Sequence, residues 1–351
     1  MEYHTYSEIT SQPGAWRQAI ELTRAANLGK LADTYDQVIF TGCGSSYYLS
    51  LAAAALYQEL AGGLARAVPA GELLLNPRAS LGRVGNSPGL ARDEIPSHEK
   101  TLLVAISRSG TTTETVRAVE RFRARTRGDV LVISNRDAVL ASLGNASLVI
   151  SKGQEESTAQ TRSFASMYVA ASALCARSAN RPDLLDAMDK LPEVGIRLIG
   201  KYESFAREYG EDLDYDRFYF LGSGIRYGLA CEVNLKMKEM TLTHSEAFHF
   251  LEFRHGPMSM VNQKAVIVGM LSEKNVSHEQ AVLDEMQALG AKTLRLAESD
   301  ADVAFESLVP ESVRGVLYLP VLQLMAFHRA LAKGLNPDRP NNLTAVVQLN
   351  I

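Results

Sequence analysis

The sequence predicts an α/β protein made of two tandem doubly wound domains, each a parallel sheet flanked by helices. Short apolar runs typical of buried strands alternate with longer runs typical of helices. Such alternation implies right-handed βαβ crossovers and parallel strands. A strand followed by Gly-x-Gly occurs twice, ending at Gly44 and, 180 residues later, at Gly224. The length of 351 residues suits about two domains.

The apolar runs, taken in order, place the expected elements. Residues 1–35 are polar with unevenly spaced apolar positions, which indicates one or two helices packed on the first domain. We expect strands of the first domain at residues 37–40, 65–70, 101–106, 129–134 and 147–150. Residues 76–99 contain Pro, Gly, Asn and charge, which favours a loop or an irregular helix. We expect strands of the second domain at residues 218–221, 265–270, 292–296 and 316–319, with helices over 227–240 and 321–333.

These elements divide the chain into five segments. They are an N-terminal helical segment, a first domain, a helical connector, a second domain and a C-terminal tail. The expected bounds are 1–35, 36–180, 181–212, 213–335 and 336–351.

Composition excludes several classes of protein. A net charge of −4 argues against a general role in binding nucleic acid or membrane surfaces. The three cysteines are widely spaced, which fits free thiols in a reducing cytosol. The first residues lack a basic stretch followed by an apolar core, so no secretory signal is expected. No uninterrupted apolar run approaches the ~18 residues of a membrane span. We therefore expect a cytoplasmic protein that binds neither membrane nor nucleic acid.

A polar turn follows the expected strand at 101–106. It contains Ser107, Arg108, Ser109 and Thr112 and leads into a helix. Backbone N–H groups, hydroxyls and an arginine at the start of a helix suit a phosphate dianion. The alternative is an ordinary Ser or Thr cap on a surface helix, but one cap needs one hydroxyl.

A second polar turn, residues 42–46, ends the first strand. Its Gly-x-Gly could begin a dinucleotide fingerprint, with Glu72 as the ribose ligand. A third Gly is absent because Tyr47 stands there, and Ser45 with Ser46 suits a monophosphate better. No cofactor is expected, and a nicotinamide or flavin site is the less favoured alternative. Because the two turns end the first and third strands of one parallel sheet, one phosphate could touch both.

A third cluster lies in the second half. If residues 227–240 are helical, Glu232, Lys236 and Glu239 share one side of the helix at i, i+4 and i+7. The alternative is a solvated helix face with ion pairs of little energetic weight. Three histidines follow, at 244, 249 and 255, but their spacing matches no zinc pattern and no Cys joins them, so no metal is expected.

Six motifs in this order make the chain resemble the sugar isomerase (SIS) family from about residue 30 onward. The likeness is closest to the isomerase half of glucosamine-6-phosphate synthase and its single-polypeptide relatives. These relatives include glucosamine-6-phosphate deaminases, tagatose-6-phosphate ketose/aldose isomerases and fructosamine-phosphate deglycases. The motifs are GCGSS from Gly42, SRSGTT from Ser107, QEESTAQTRSF from Gln154, LKMKE from Leu235, EFRHGP from Glu252 and NPDRPNNL from Asn336.

The resemblance implies a role for each matching residue. Glu239 would be the base that moves a proton between C1 and C2, and Lys236 would polarise the sugar carbonyl or pair with Glu232. His255 would assist ring opening from across a homodimer interface, and the tail would cover the sugar as a lid. The phosphate would be held by Ser46, Ser107, Arg108, Ser109 and Thr112. Further substrate contacts would come from Cys43, Gly44, Ser45, Thr158 and Gln160, the last two near the C2 substituent.

The implied activity is isomerisation or deamination of a hexose-6-phosphate or aminohexose-6-phosphate through an enediol or enolamine. We expect no glutaminase domain, so synthesis from glutamine by this chain alone is not expected. Two departures stand out: Arg108 replaces a Gln of the synthase, and Ala345 replaces its tail lysine. The alternatives are a non-catalytic sugar-phosphate sensor and a fructosamine-6-phosphate deglycase.

Overall fold

The chain folds around two parallel five-stranded sheets. The computed structural model describes residues 3–27, 35–77, 100–347 and 349. The first sheet has the strand order β2-β1-β3-β4-β5, all parallel. Its strands are β1 (Gln37–Gly42), β2 (Leu64–Pro69), β3 (Thr101–Ser107), β4 (Asp129–Ser134) and β5 (Ala146–Val149).

The second sheet repeats this topology. Read from its β7 edge, the order is β7-β6-β8-β9-β10, again all parallel. Its strands are β6 (Arg217–Leu221), β7 (His244–Phe248), β8 (Ala265–Met270), β9 (Lys292–Ala297) and β10 (Val303–Ala304). The predicted α/β class with two parallel sheets is confirmed. In each sheet the strand order reverses direction beside the first strand, which is where doubly wound folds bind ligands.

Helices cover both faces of each sheet. In chain order they are α1 (His4–Ala25), α2 (Ser45–Ala61), α3 (Ala70–Leu75), α4 (Thr113–Arg125), α5 (Val139–Ser142), α6 (Arg162–Ser178), α7 (Pro182–Met188), α8 (Leu191–Glu211), α9 (Ile225–Thr241), α10 (Val276–Ala288) and α11 (Leu319–Ala332). One continuous core joins the inner faces of both sheets, as Phe40 and Phe218 lie in the same buried cluster as Phe164, Leu198 and Met325. Smaller cores lie under the outer faces.

The structure corrects two expectations about the second sheet. Residues 316–319 are not a strand: Gly315–Tyr318 form a 3-10 turn that leads into α11. A buried apolar run fits either structure, and Pro320 in the first turn of α11 favours the helix. The strand β7 was not anticipated because His244 to Phe248 is a polar segment at an edge of the sheet. The loop expected at 76–99 lies mostly outside the described residues.

The helices α2 and α9 cross at unusually short range. A Cβ on Gly228 of α9 would lie 2.5 Å from the Tyr48 carbonyl oxygen and 2.6 Å from the Ala52 nitrogen, both backbone atoms of α2. Only Gly permits this approach, since a backbone cannot swing aside as a long side chain would. The crossing places the helix of the second half against the polar turn of the first.

We expect Gly228→Ala to lower the free energy of unfolding by about 1–3 kcal/mol, the usual effect of overpacking. Thermal and urea unfolding would measure it. The matched control is Gly200→Ala in α8, where a Cβ meets nothing within 4 Å and stability should stay level or rise. Equal effects of the two substitutions would contradict the close crossing.

Candidate active site

A small cavity lies where the order of the first sheet reverses. The turns after β1 and β3 form its walls, at the carboxyl edge of the sheet. Its volume is about 30 Å³. The lining residues are Cys43, Ser46, Ile106, Ser107, Arg108, Ser109, Thr112, Thr115, Gln160 and Ala345. Residues from both polar turns thus meet at one point, together with Gln160 from a later loop and Ala345 from the tail.

Hydroxyl groups organise the turn after β3. Ser107 Oγ accepts the Gly110 N–H at 3.1 Å, and Ser109 Oγ accepts the Thr111 N–H at 3.1 Å. Thr112 Oγ1 lies 3.4 Å from Ser107 Oγ and 3.5 Å from Ser109 Oγ. The helix α4 begins at the next residue, so its positive dipole end faces the same turn. This arrangement of donors suits a phosphate.

The turn after β1 reverses direction through a glycine. Gly44 has φ 54°, a left-handed conformation that other residues rarely adopt. The next two residues, Ser45 and Ser46, open α2 and are buried. Ser46 faces the cavity, whereas Ser45 points to α9, where it accepts a hydrogen bond from Lys236 Nζ at 3.3 Å.

Arg108 lines the cavity, but its known partners are backbone carbonyls. Nη1 donates to the oxygens of Ser157 (3.2 Å) and Thr158 (2.9 Å), and Nη2 donates to that of Ala345 (2.7 Å). The Glu155 carboxylate lies 3.8 Å from Nη1. Arg108 therefore connects the turn after β3 to the 155–158 loop and to the tail, besides supplying positive charge to the cavity. Thr158 contacts Arg108 through its backbone carbonyl, and it is not among the residues that line the cavity.

The acidic and basic side chains of α9 form a buried cluster. Lys236 Nζ lies 3.4 Å from Glu232 Oε1 and 2.5 Å from Glu239 Oε2. The Lys236 and Glu232 side chains are 1% and 0% exposed, whereas Glu239 is 19% exposed. The three residues do share one side of the helix, and the alternative of a solvated face is wrong for Glu232 and Lys236.

Burial sets the protonation of this cluster. It raises the pKa of Glu232 to about 8, with Lys236 opposing the shift and Glu239 adding to it. Burial also disfavours the Lys236 ammonium, but the two neighbouring acid side chains outweigh it and raise the pKa of Lys236. An ammonium held between a buried acid that favours its neutral form and a partly exposed acid is an arrangement that a dry site tolerates.

The three histidines lie apart from the cavity. His255 is exposed, after a 3-10 turn over Glu252–Arg254, and does not line the cavity. His249 stacks on Tyr227 with ring centroids 3.9 Å apart, and burial lowers its pKa. His244 begins β7. Among the residues that the structure describes, no group of three His, Cys, Asp or Glu side chains could hold a metal ion.

The turn after β6, which corresponds to the turn after β1, has an arginine that is paired with carboxylates. A cavity of about 200 Å³ lies there, lined in part by Ser223, Arg226 and Glu311. Arg226 Nη1 donates to Glu311 Oε1 at 2.6 Å, and Glu279 lies 3.9 Å from Nη2. A phosphate would have to displace these carboxylates, so the first sheet offers the better anion site.

Two acids that sequence reasoning did not single out hold the site together. Glu8 of α1 accepts the N–H groups of Glu156 (2.7 Å) and Ser157 (3.2 Å). Glu155 accepts the N–H and hydroxyl of Thr161 at 2.7 and 2.8 Å. Glu155 stands inside a motif already noted, which was a usable signal. No sequence feature pointed to Glu8, because the sequence alone does not distinguish an acid on the buried side of a helix from an exposed one.

One helical stretch, Gly315–Ala332, is long and apolar enough to cross a membrane by composition. It is 89% buried inside the protein, as expected for a core helix.

We expect Glu232→Gln to remove a pH dependence of folding. A carboxyl whose folded pKa is about 8 and whose ordinary value is 4.5 stabilises the fold fully below pH 4.5. That stability declines as pH rises, by up to about 1.4 kcal/mol per pH unit, and is gone above pH 8. Stability of the variant relative to the native chain should therefore increase from pH 5 to pH 8.

Urea unfolding at pH 5, 6, 7 and 8 measures the difference between the two chains. Glu21→Gln, at an exposed position of α1, is the control and should differ from the native chain by a constant amount. A constant difference for Glu232→Gln as well would contradict the buried, protonated state.

Fold and site together define a doubly wound α/β protein with a polar cavity at the carboxyl edge of its first sheet and an acid–lysine–acid cluster on α9. The SIS domain family model matches residues 213–331. This match extends from just before β6 to near the end of α11.

Known proteins with related sequences and structures carry sugar-phosphate names. A glutamine–fructose-6-phosphate aminotransferase (isomerizing) from Methanothermobacter thermautotrophicus is 26% identical over 363 residues, which is 99% of this chain and 57% of that protein. The chain thus spans little more than half of that relative. A glucosamine-6-phosphate deaminase from Thermotoga maritima is 26% identical with a TM-score of 0.78, covering 99% of this chain and 100% of that one.

A third similarity concerns the fold alone. The tagatose-6-phosphate ketose/aldose isomerase of Escherichia coli has a TM-score of 0.81 at 22% identity, over 97% of this chain and 96% of that one.

Proposed function

We propose that this chain is a sugar-phosphate isomerase or deaminase that moves a proton between C1 and C2 of a hexose-6-phosphate or aminohexose-6-phosphate. The observation that carries the proposal is the position of Lys236. Its ammonium contacts both Glu239 and Ser45, which belongs to the polar turn after β1. A candidate base is thereby held beside a candidate phosphate site.

The phosphate would anchor one end of the substrate. Ser46, Ser107, Ser109 and Thr112 surround the cavity, and each hydrogen bond to a charged group contributes about 1.5–3 kcal/mol. Anchoring at O6 leaves C1 and C2 of the open-chain sugar toward α9. Binding energy from the phosphate can then be used to orient the reacting carbons.

Glu239 would carry the proton. It takes the proton from C2 of the aldose, and the C–H electrons form the C1–C2 double bond of an enediol while O1 gains a proton. The same carboxyl returns its proton to C1 of the enediol, and O2 loses its proton as the C2 carbonyl of the ketose forms. The ammonium of Lys236 would stabilise the negative charge that develops on the carbonyl oxygen. On an aminosugar the enolamine becomes an imine at C2, and water then releases ammonia and leaves the ketose. No cofactor is needed in either case.

The names of the related proteins are consistent with both isomerisation and deamination. The structure that matches over the whole length at 26% identity bears the name of a deaminase. The relatives found by sequence bear the name of an isomerizing aminotransferase. The choice between isomerase and deaminase rests on the C2 substituent, which Thr158 and Gln160 would face.

We also propose that the first half is a second SIS domain. Its strand order is the same as that of the matched half. Gly44 has φ 54° and ψ −124°, and Gly224 has φ 58° and ψ −128°. Equal backbone conformations at equivalent turns support a repeated unit.

The test of the proposed function uses purified protein with glucosamine-6-phosphate and a panel of hexose-6-phosphates in D₂O. Ammonia with fructose-6-phosphate would identify a deaminase. Deuterium at C1 or C2 without ammonia would identify an isomerase. Sugar-phosphate binding without ammonia release or deuterium incorporation would contradict an enzyme and favour a sensor. Ala345 in place of the tail lysine would then explain the lack of turnover.

We expect Glu239→Gln to keep the affinity for the sugar phosphate and to lower turnover by about 10²–10⁴-fold, the usual contribution of a positioned base. Calorimetry and the deuterium-exchange assay measure the two quantities. Lys238→Gln, at the exposed neighbouring position of the same helix, is the control and should leave both unchanged. Retained turnover in Glu239→Gln would show that another group is the base.

We further propose that the working form is a homodimer in which His255 serves the site of the neighbouring chain. His255 is exposed, and Leu251 and Met260 beside it are 53% and 52% exposed, so this surface is apolar as well as polar. Burial of such side chains against a second copy would be favourable.

Mixing two inactive variants tests this sharing. Glu239→Gln and His255→Ala are unfolded together and refolded at equal amounts. If each site takes Glu239 from one chain and His255 from the other, each mixed dimer has one intact site, and about a quarter of native activity returns. Recovery of no activity, with mixed dimers verified by mass spectrometry, would place both residues in one chain's site.

A further inference from the structure

The first two turns of α1 contact the 155–158 loop and the start of the tail, two segments that lead to Gln160 and Ala345 in the cavity lining. The Asp338 carboxylate of the tail accepts the N–H of His4 at 3.0 Å and the N–H and hydroxyl of Thr5 at 2.8 and 2.7 Å. The start of the helix is thus capped by a residue 333 positions away in sequence. The start of the tail is therefore hydrogen-bonded to α1.

The next turn of α1 holds the 155–158 loop. The Glu8 residue is 2% exposed, and its carboxylate accepts three hydrogen bonds, from the N–H groups of Glu156 and Ser157 and from the Ser157 hydroxyl. A buried carboxylate is costly unless donors surround it, so the loop backbone is bound to this oxygen pair. Burial and, to a smaller extent, the nearby Glu155 charge raise the pKa of Glu8.

Arg108 connects the same loop to the tail. The peptide between Ser157 and Thr158 is held at both ends: its N–H donates to the Asp338 carbonyl at 2.9 Å, and its carbonyl accepts from Arg108. Arg108 also donates to the Ala345 carbonyl in the tail. Helix α1, the 155–158 loop, the turn after β3 and the tail are thus joined in one ring of hydrogen bonds.

We propose that Glu8 is a positioning residue, which sets the loop and through it the tail over the cavity. The consequence for catalysis rests on the proposed function, because only a substrate in that cavity would feel the loop and tail. Glu8 itself does not line the cavity. It acts by fixing the two peptide groups that directly precede those whose carbonyls accept hydrogen bonds from Arg108.

Packing holds α1 in place independently of Glu8. Trp16 and Ile9 of this helix are fully buried in the shared core. The Tyr6 hydroxyl donates to Glu203 of α8 at 2.9 Å, on a different side from the loop. A change at Glu8 should therefore release the loop without undocking the helix, and Tyr6→Phe is a control that removes a hydrogen bond of α1 but none to the loop.

Cys43 offers a readout that does not depend on turnover. It lines the cavity beside Ala345 and is partly exposed, whereas Cys175 and Cys231 are 0% and 6% exposed. The rate at which a thiol reagent modifies Cys43 in the native chain reports how well the tail and loop cover the cavity. A Cys43→Ser background identifies the modified residue.

We expect Glu8→Ala to speed modification of Cys43 by about tenfold or more, since it removes hydrogen bonds to a charged group. Glu8→Gln keeps an acceptor oxygen and should fall between Glu8→Ala and the native chain. Tyr6→Phe should match the native rate. Should Glu8→Ala not fold, Asp338→Ala releases the tail end of the same ring and should also speed the reaction.

In turnover assays Glu8→Ala should raise KM more than it lowers kcat, because the loop and tail act on the bound sugar. Native modification rates in both Glu8→Ala and Asp338→Ala would overturn the proposal. Faster modification in a protein that turns over no sugar phosphate would refute the proposed function while leaving the role of Glu8 standing. Inorganic phosphate serves as the probe of the cavity in that case and should slow Cys43 modification.

Discussion

The close crossing of α2 and α9 at Gly228 is the constraint on which the candidate site depends. Each helix follows the first strand of its own sheet, and each begins with a Gly-x-Gly turn. Because Gly228 lets the two backbones nearly touch, residues two turns further along α9 reach the polar turn after β1. Lys236 therefore meets Ser45, a residue 191 positions earlier. This contact brings the polar turn after β1 in the first half next to the acid–lysine–acid cluster of the second half.

In the cluster on α9, two glutamates differ in their degree of burial. Glu232 and Glu239 flank the same ammonium, yet one is fully buried and the other is 19% exposed. Desolvation favours the neutral form of Glu232, whereas Glu239 is partly exposed and in reach of a ligand. A carboxylate that is paired, partly exposed and next to an anion site has the features required of a base in an aldose–ketose isomerisation. The second sheet lacks this combination because Glu311 neutralises Arg226 at the matching turn.

Much of the architecture could be predicted because it rests on local patterns. Apolar runs predicted the main strands, and the i, i+4, i+7 spacing placed Glu232, Lys236 and Glu239 together. The buried run at 316–319 was misjudged because full burial erases the periodicity that separates strand from helix. Glu8 and the backbone partners of Arg108 could not be predicted. Their contacts join residues 49 to 237 positions apart, and no local feature marks a carbonyl as an acceptor.

A crystal structure of the Glu239→Gln variant with fructose-6-phosphate would test the central claim most directly. We expect the phosphate among Ser46, Ser107, Ser109 and Thr112, with C1 and C2 of the open-chain sugar beside residue 239 and Lys236. A phosphate bound at the Ser223 turn of the second sheet, or a sugar whose C1 and C2 lie away from α9, would contradict proton transfer by Glu239.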